Sequence, residues 1–201
     1  MSFDKNYLEN LADEIAFPEL KFSDIPDIDL YMEQLISLIE SKFRGFKRDG
    51  KDKVFTKTMI NNYTKLGLLM PPENKKYTRE HMILLTLIYN LKSILSINDI
   101  KLLFAPVLND IARRDDDIMS LDDIYTAFLE LNKIEFDSLY NSYVQKMDLI
   151  KEKTSGLEKD NKETAQLFLF IIMLVAHSSA QKRLAERLID DFFTGIETQT
   201  D

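Results

Sequence analysis

The residues from 56 to 66 combine apolar side chains with asparagine, threonine and lysine at helical spacing. Thr56 is placed to cap a helix, because its hydroxyl can accept a hydrogen bond from a free amide of the first turn. The apolar face consists of Met59, Ile60, Tyr63 and Leu66, and the opposite face of Lys57, Thr58, Asn61, Asn62 and Lys65. Asparagine pairs with adenine edges, lysine binds guanine or phosphate, and threonine contacts phosphate or a thymine methyl. The pattern therefore predicts a helix that enters the major groove of double-stranded DNA.

The residues that follow predict a sharp stop and then a basic loop. Gly67 suits the left-handed position that ends a helix, and the two prolines at 71 and 72 prevent its continuation. We predict that residues 73–78 form a small β wing that lies on the phosphate backbone. The side chains of this wing that we expect to bind DNA are Lys75, Lys76 and Tyr77. Arg79, at the start of the next helix, is expected to bind DNA as well. Those three cations and Lys65 would neutralise phosphates.

The charge of the chain is distributed unevenly. The formal net charge is −8, yet residues 42–101 contain 13 Lys or Arg against five Asp or Glu, which leaves 13 basic and 29 acidic residues elsewhere. Salt screens charges over about 8–10 Å, so a surface responds mainly to the charges near it. The asymmetry favours a nucleic-acid partner for residues 42–101, although a chance cluster on a solvated face has the same composition.

The side chains that catalysis requires are scarce. Cysteine is absent, and there are two histidines. We expect His81, at the start of a helix, to face solvent, and His177 to be an interior or interface group. The aspartates at 115–117 and 122–123 lack the alternation and glycine of a calcium loop and are expected to form a helix-capping turn. A glycine-rich phosphate loop is also missing, so we predict no enzyme, no metal and no cofactor.

The elements that position these residues are predicted to be mainly α-helical. Few glycines and prolines and three- to four-residue apolar spacing favour helices. Helices are expected over residues 7–15, 27–43, 56–66, 78–91, 96–104 and 162–193, with Pro106 closing the fifth. Two apolar stripes after Ser120 are out of phase, which predicts a kink or break near residues 132–133. The apolar run at 167–172 is expected to be buried on several sides.

The order of cap, short polar-faced helix, Gly-Leu-Leu, Pro-Pro and basic loop resembles the MerR-like winged helix-turn-helix. In that resemblance Thr56 matches the capping serine, Ile60 and Tyr63 the core isoleucine and a tyrosine, and Lys75 the wing arginine. Asn61 and Asn62 stand where that family has arginine and tyrosine. The whole chain is similar to an uncharacterised bacterial family, domain of unknown function 1836, whose core has this pattern. The resemblance implies a winged helix-turn-helix followed by a C-terminal helical bundle or hairpin.

These observations predict three parts: an N-terminal arm (1–26), the winged helix-turn-helix domain (27–112) and a C-terminal dimerisation or effector lobe (113–201), with a soft boundary near residues 113–119. The expected function is transcriptional regulation by DNA binding. Residues 120–193 are the candidate homodimer contact, and a monomeric bundle is the alternative. The first residues contain no secretory segment, and the longest apolar run is about half of a bilayer span, so we expect a cytoplasmic protein without a membrane contact. The rival function is a protein-interaction module on a MerR-like scaffold.

Overall fold

The computed structural model describes residues 4–11, 17–113 and 120–195, without the side chains of 110–113 and 159–160. Within these ranges the chain forms seven α-helices and one two-stranded sheet, so the prediction of a mainly helical protein is confirmed. The elements in chain order are α1 (Lys5–Asn10), β1 (Leu30–Tyr31), α2 (Met32–Phe43), α3 (Lys57–Lys65), β2 (Lys76–Tyr77), α4 (Arg79–Leu91), α5 (Ile97–Arg113), α6 (Leu121–Lys153) and α7 (Lys159–Phe192). Short 3₁₀ turns occupy Phe22–Asp24 and Arg44–Phe46.

The ends of α3 are set by local sequence, as predicted. The Thr56 hydroxyl oxygen accepts a hydrogen bond from the Met59 amide at 3.2 Å, which satisfies one free donor of the first turn. At the other end Gly67 has a φ of +73°. The Leu68 amide donates to the Tyr63 carbonyl at 2.9 Å and the Gly67 amide to the Thr64 carbonyl at 3.1 Å. This is the Schellman arrangement, which satisfies the last carbonyls of a helix.

Two predicted helix boundaries were wrong. The second helix does not begin at residue 27 but at Met32, because Leu30 and Tyr31 pair with β2 instead. The fifth helix does not close at Pro106 but continues to Arg113 with the proline inside it. Phe104 and Ala105 just before the proline are buried, and this packing favours the helix against the loss of the hydrogen bond that proline cannot donate.

The kink or break predicted near residues 132–133 is also absent, since α6 runs through them as one helix. The chain divides into two compact units, Phe17–Leu129 with Glu186–Asp201, and Met1–Ala16 with Glu130–Ala185. We call them the sheet unit and the hairpin unit. The division falls before Leu131, the last residue of the first apolar stripe, within a continuous helix. The predicted domain boundaries at residues 26 and 112 do not coincide with this division, and residues 114–119 of the predicted soft boundary lie outside the described residues.

The sheet unit is built around α4. Residues 81–86 of this helix are buried one after another, and α2 packs Leu35, Ile39 and Phe43 towards the same core. The buried Tyr125 of α6 fastens the extended N-terminal segment to this core. Its hydroxyl donates to the Leu20 carbonyl at 2.9 Å and accepts from the Leu20 amide at 3.1 Å. Both backbone polar groups of this fully buried leucine are thereby satisfied.

The hairpin unit consists of α1, α6 from residue 130 onwards and α7 up to residue 185. Among the described residues, the buried side chains of its apolar cluster are Leu8, Met147, Ile150 and Phe170. At the helix–helix turn the Gln166 side-chain amide donates to the buried Thr154 hydroxyl at 2.9 Å. The core is small for a unit of this length.

The apolar face of α7 is not covered within the single chain. The expectation that residues 167–172 are buried on several sides was wrong, because Phe170 alone is buried among them. Phe168, Ile171, Ile172 and Val175 are between 47% and 63% exposed. Over Asn161–Phe192 the helix is long and apolar enough to cross a membrane by length and composition, and almost none of that stretch is buried.

Candidate nucleic-acid interface

One face of α3 presents polar side chains to solvent. Lys57, Thr58, Asn61, Asn62 and Lys65 are all exposed, while Ile60 and Tyr63 on the opposite face are buried. The exposed positions fall at spacings of three and four residues, which place them on one side of a helix. Thr56 differs from them, because it is half-buried and its hydroxyl oxygen serves the helix cap.

The tip of the basic loop is a tight two-residue turn. Asn74 and Lys75 have φ values of +51° and +66°. The Lys76 amide donates to the Glu73 carbonyl at 2.8 Å, and Glu73 and Lys76 form an antiparallel bridge. Positive φ at both central residues is the geometry of the hairpin turn that favours Asn-Gly. Lysine therefore occupies the position that suits glycine best, and its side chain is exposed.

The loop is held through its C-terminal side. β2 pairs antiparallel with β1, with Leu30 opposite Tyr77 and Tyr31 opposite Lys76. Tyr77 is buried and packs edge-on against His81 with ring centroids 5.2 Å apart. Tyr77 thus anchors the wing to the core, and its buried ring is not presented to a partner.

The loop and α3 are both tied to the start of α2. The Lys76 ammonium lies over the Tyr31 ring, 5.7 Å from its centroid, and Lys57 forms an ion pair with Glu33 two residues further along. The hydrogen bond from Lys57 lowers the pKa of the Glu33 carboxyl group. These contacts bring the wing and the N-terminal end of α3 to the same short stretch of chain.

Arg79 is engaged within the protein. Its guanidinium lies 4.4 Å from the centroid of the Phe22 ring, and it bonds Asp122 of α6 through Nη2 at 2.9 Å and Nε at 3.2 Å. Two parallel N–H···O contacts make the stronger, geometrically specific form of an arginine–carboxylate pair. To bind a phosphate, Arg79 would have to exchange this partner.

The part of the chain that contains α3 and the wing matches a known protein family. The family described as Domain of unknown function (DUF1836) matches residues 20–128, more than half of the chain. The chain belongs to the DUF1836 family. Its matched residues lie within the first segment of the sheet unit, so the hairpin unit is outside the family's domain. Neither among curated proteins nor among solved structures does any protein match the chain.

A buried histidine supports the wing of the DUF1836 domain, where the sequence had predicted a solvent-facing one. His81 is 2% exposed. Its Nδ1 accepts from the Thr78 amide at 3.0 Å, and its Nε2 lies 3.1 Å from the Met70 carbonyl, to which it donates in the neutral form. Burial lowers the pKa of His81. The signal in the sequence was its place three residues after the capping Thr78, where a side chain can reach back to the cap.

Lys92 and Lys47, which belong to the basic residues of 42–101, fix the segment before α3. Lys92 donates to the Val54 carbonyl at 2.9 Å, and its ammonium lies 4.5 Å from the centroid of the Phe55 ring. Burial lowers the pKa of Lys92. Lys47 pairs with Glu40, whose other oxygen accepts from the Val54 amide at 3.1 Å. Val54 and Phe55 directly precede the cap of α3, so these lysines position that helix.

The positive charge available at this surface of the DUF1836 domain is smaller than the count over residues 42–101. Lys42, Lys47, Lys57 and Arg79 pair with Asp24, Glu40, Glu33 and Asp122, carboxylates that the count leaves out. In the described part of the chain no ion pair involves Lys65 or Lys75. A ligand can therefore reach these two exposed lysines without displacing an ion-pair partner.

The described acidic residues at the start of α6 make local contacts within the chain. In the described ranges no group of three His, Asp or Glu side chains is arranged to hold a metal ion. Asp122 is the partner of Arg79, and the Asp123 amide donates to the Ser120 hydroxyl at 3.1 Å at the start of α6. The aspartates at 115–117 lie outside the described residues.

Proposed function

We propose that the protein is a cytoplasmic DNA-binding transcriptional regulator with a MerR-like winged helix-turn-helix. Helix α3 enters the major groove, and the wing at residues 73–78 lies on the phosphate backbone. The observation that carries the proposal is the joint exposure of the polar face of α3 and of the lysine-tipped turn, both tied to the start of α2.

The ten predicted DNA-binding residues take different parts in this proposal. Thr58, Asn61 and Asn62 contact base edges or nearby phosphates, and Lys65 and Lys75 bind phosphates directly. Lys57, Lys76 and Arg79 already have partners inside the protein, so they contribute where a phosphate competes with Glu33, Tyr31 or Asp122. Thr56 and Tyr77 hold the helix and the wing in place.

A second copy of the chain completes the proposed regulator. One small module binds DNA weakly, and pairing supplies contact area and a two-fold site. Phe168, Ile171, Ile172 and Val175 follow the spacing of one helix face and are exposed on α7, next to a small core. We propose that this face contacts its counterpart in a homodimer through residues 120–193.

The length of the apolar run favours a protein contact over a membrane. The continuous run covers residues 167–176 and extends about 15 Å at 1.5 Å per residue, whereas a bilayer core is about 30 Å thick. Gln166 precedes the run and His177, Ser178 and Ser179 follow it within the helix. These flanking polar groups suit the edge of a protein interface in the cytoplasm.

The DNA-binding proposal is tested by titrating a fluorescently labelled duplex at several salt concentrations. Lys65→Gln should reduce the slope of log K against log salt by about 0.9, the value for one phosphate contact in B-DNA. Lys151→Gln is a matched control, because Lys65 and Lys151 are both exposed lysines in the last turn of a helix. Equal slopes for the two variants would contradict the assigned surface.

The protein-interaction module is a second candidate function. Four of the basic side chains in residues 42–101 form ion pairs with carboxylates, and Asn61 and Asn62 carry no charge. A protein partner suits such a surface better than a polyanion does. Absence of any binding to random-sequence DNA at low salt would favour this candidate.

The dimer is tested by sedimentation equilibrium. Phe168→Glu should convert the dimer to a monomer, because it places a charge in the proposed apolar contact. Gln181→Glu, at an exposed polar position of the same helix, should leave the dimer intact. A monomeric wild type that sediments with lipid vesicles would instead support a membrane contact.

A further inference from the structure

An apolar cavity lies inside the sheet unit, away from the proposed DNA surface. It is partly enclosed and has a volume of about 350 Å³. Side chains from α4, α5 and the beginning of α6 form most of its wall, among them Leu84, Leu91, Phe104, Val107, Ile124 and Phe128. Cavities of this size are at the lower end of those that hold small molecules.

The wall offers almost nothing that a polar group could bind. Asn90 is the polar side chain in the lining, and its amide nitrogen donates to the Pro18 and Thr86 carbonyls, both at 2.9 Å. Water needs polar partners to occupy a site. A peptide segment would bring backbone groups that find no hydrogen bond there, and a charged ligand would lose its hydration without compensation.

We propose that this cavity binds an uncharged, apolar small molecule. At about 30 Å³ per water-sized group, its volume corresponds to roughly a dozen non-hydrogen atoms. A compact hydrocarbon or aromatic compound fits both the volume and the wall. The proposed site is independent of DNA binding, so its test and that of the DNA surface can fail separately.

Naphthalene is a suitable probe, and naphthalene-2-sulfonate is its charged control. In a thermal unfolding experiment naphthalene should raise Tm with the logarithm of its concentration, by about 3–6 °C at roughly ten times its Kd, and the sulfonate should not. Val107→Phe fills part of the cavity and should abolish the rise. An equal rise in wild type and Val107→Phe, or none up to the solubility of naphthalene, would overturn the proposal.

A second measurement does not depend on the stability of the filled variant. The chain has no tryptophan, so Phe128→Trp places a single indole at the cavity wall. Naphthalene should change its emission saturably, and naphthalene-2-sulfonate should leave it unaltered. Emission that is indifferent to naphthalene, or that responds equally to both compounds, would contradict an apolar ligand site.

Discussion

Replacing Lys75 with glycine separates the charge of the wing tip from the backbone geometry of its turn. Lys75 has a φ of +66°. A non-glycine residue in the left-handed region costs about 1–2 kcal/mol, whereas glycine adopts it without steric cost but loses more conformational entropy on folding, about 0.5–1 kcal/mol. Lys75→Gly should therefore leave the free energy of unfolding unchanged or raise it by up to about 1 kcal/mol.

The same variant should weaken DNA binding. If Lys75 binds one phosphate, the slope of log K against log salt should fall by about 0.9. Fluorescence anisotropy on a labelled duplex gives the slope, and thermal unfolding shows a Tm that is equal or up to about 2–4 °C higher. A variant that is more stable and binds DNA less tightly excludes misfolding as the cause.

Asn74→Gly is the matched control for this experiment. Asn74 has a φ of +51° in the same turn, so glycine there keeps the left-handed backbone accessible without removing a charge. Its salt dependence should equal that of the wild type. If Lys75→Gly folds and also keeps the wild-type slope, the wing tip does not contact phosphate and the reasoning is refuted.

Three further predictions follow from single contacts. Glu33→Gln should release Lys57 and steepen the salt dependence of DNA binding by up to about 0.9, measured by the same titration, and an unchanged slope would exclude Lys57 from the contact. Tyr125→Phe should lower the free energy of unfolding by about 2–4 kcal/mol in denaturant titrations, because both buried polar groups of Leu20 lose their partner; a loss below about 0.5 kcal/mol would show that water replaces the hydroxyl. Burial lowers the pKa of His81 in the folded protein below its ordinary 6.5, so the unfolded chain binds the proton more readily and stability should fall as pH drops through 6.5. Tm at pH 7.5 and 5.5 should show a larger acid loss for wild type than for His81→Gln, and equal losses would contradict the neutral buried imidazole.

The parts of the fold that the sequence predicts correctly are those fixed by neighbouring residues. Helix α3 was expected from Thr56 to Leu66, and these two residues are its caps. The capping hydroxyl, the spacing of the apolar residues and the left-handed glycine each determine the structure of residues within one or two helical turns. The exposure of Asn61 and Asn62 follows from that spacing, and the structure has both exposed.

The features that the sequence does not predict depend on contacts between distant residues. β1 and β2 are about 45 residues apart, and two residues of extended chain carry no periodic signal. Lys57 and Arg79 form ion pairs with Glu33 and Asp122, which lie outside residues 42–101 in the sequence. Counting charges along the sequence therefore overstates the charge that a ligand meets.

The orientation of the wing follows from buried groups rather than from its own strands. Two paired residues in each strand give too little stabilisation to fix a loop by themselves. Tyr77 and His81 pack against each other in the core, and His81 also connects the cap of α4 to the Met70 carbonyl at the end of the Gly-Leu-Leu segment. A substitution at either residue would consequently shift the Lys75 tip relative to α3. If α3 and the wing bind DNA as proposed, the affinity for DNA should then decrease although both side chains are buried.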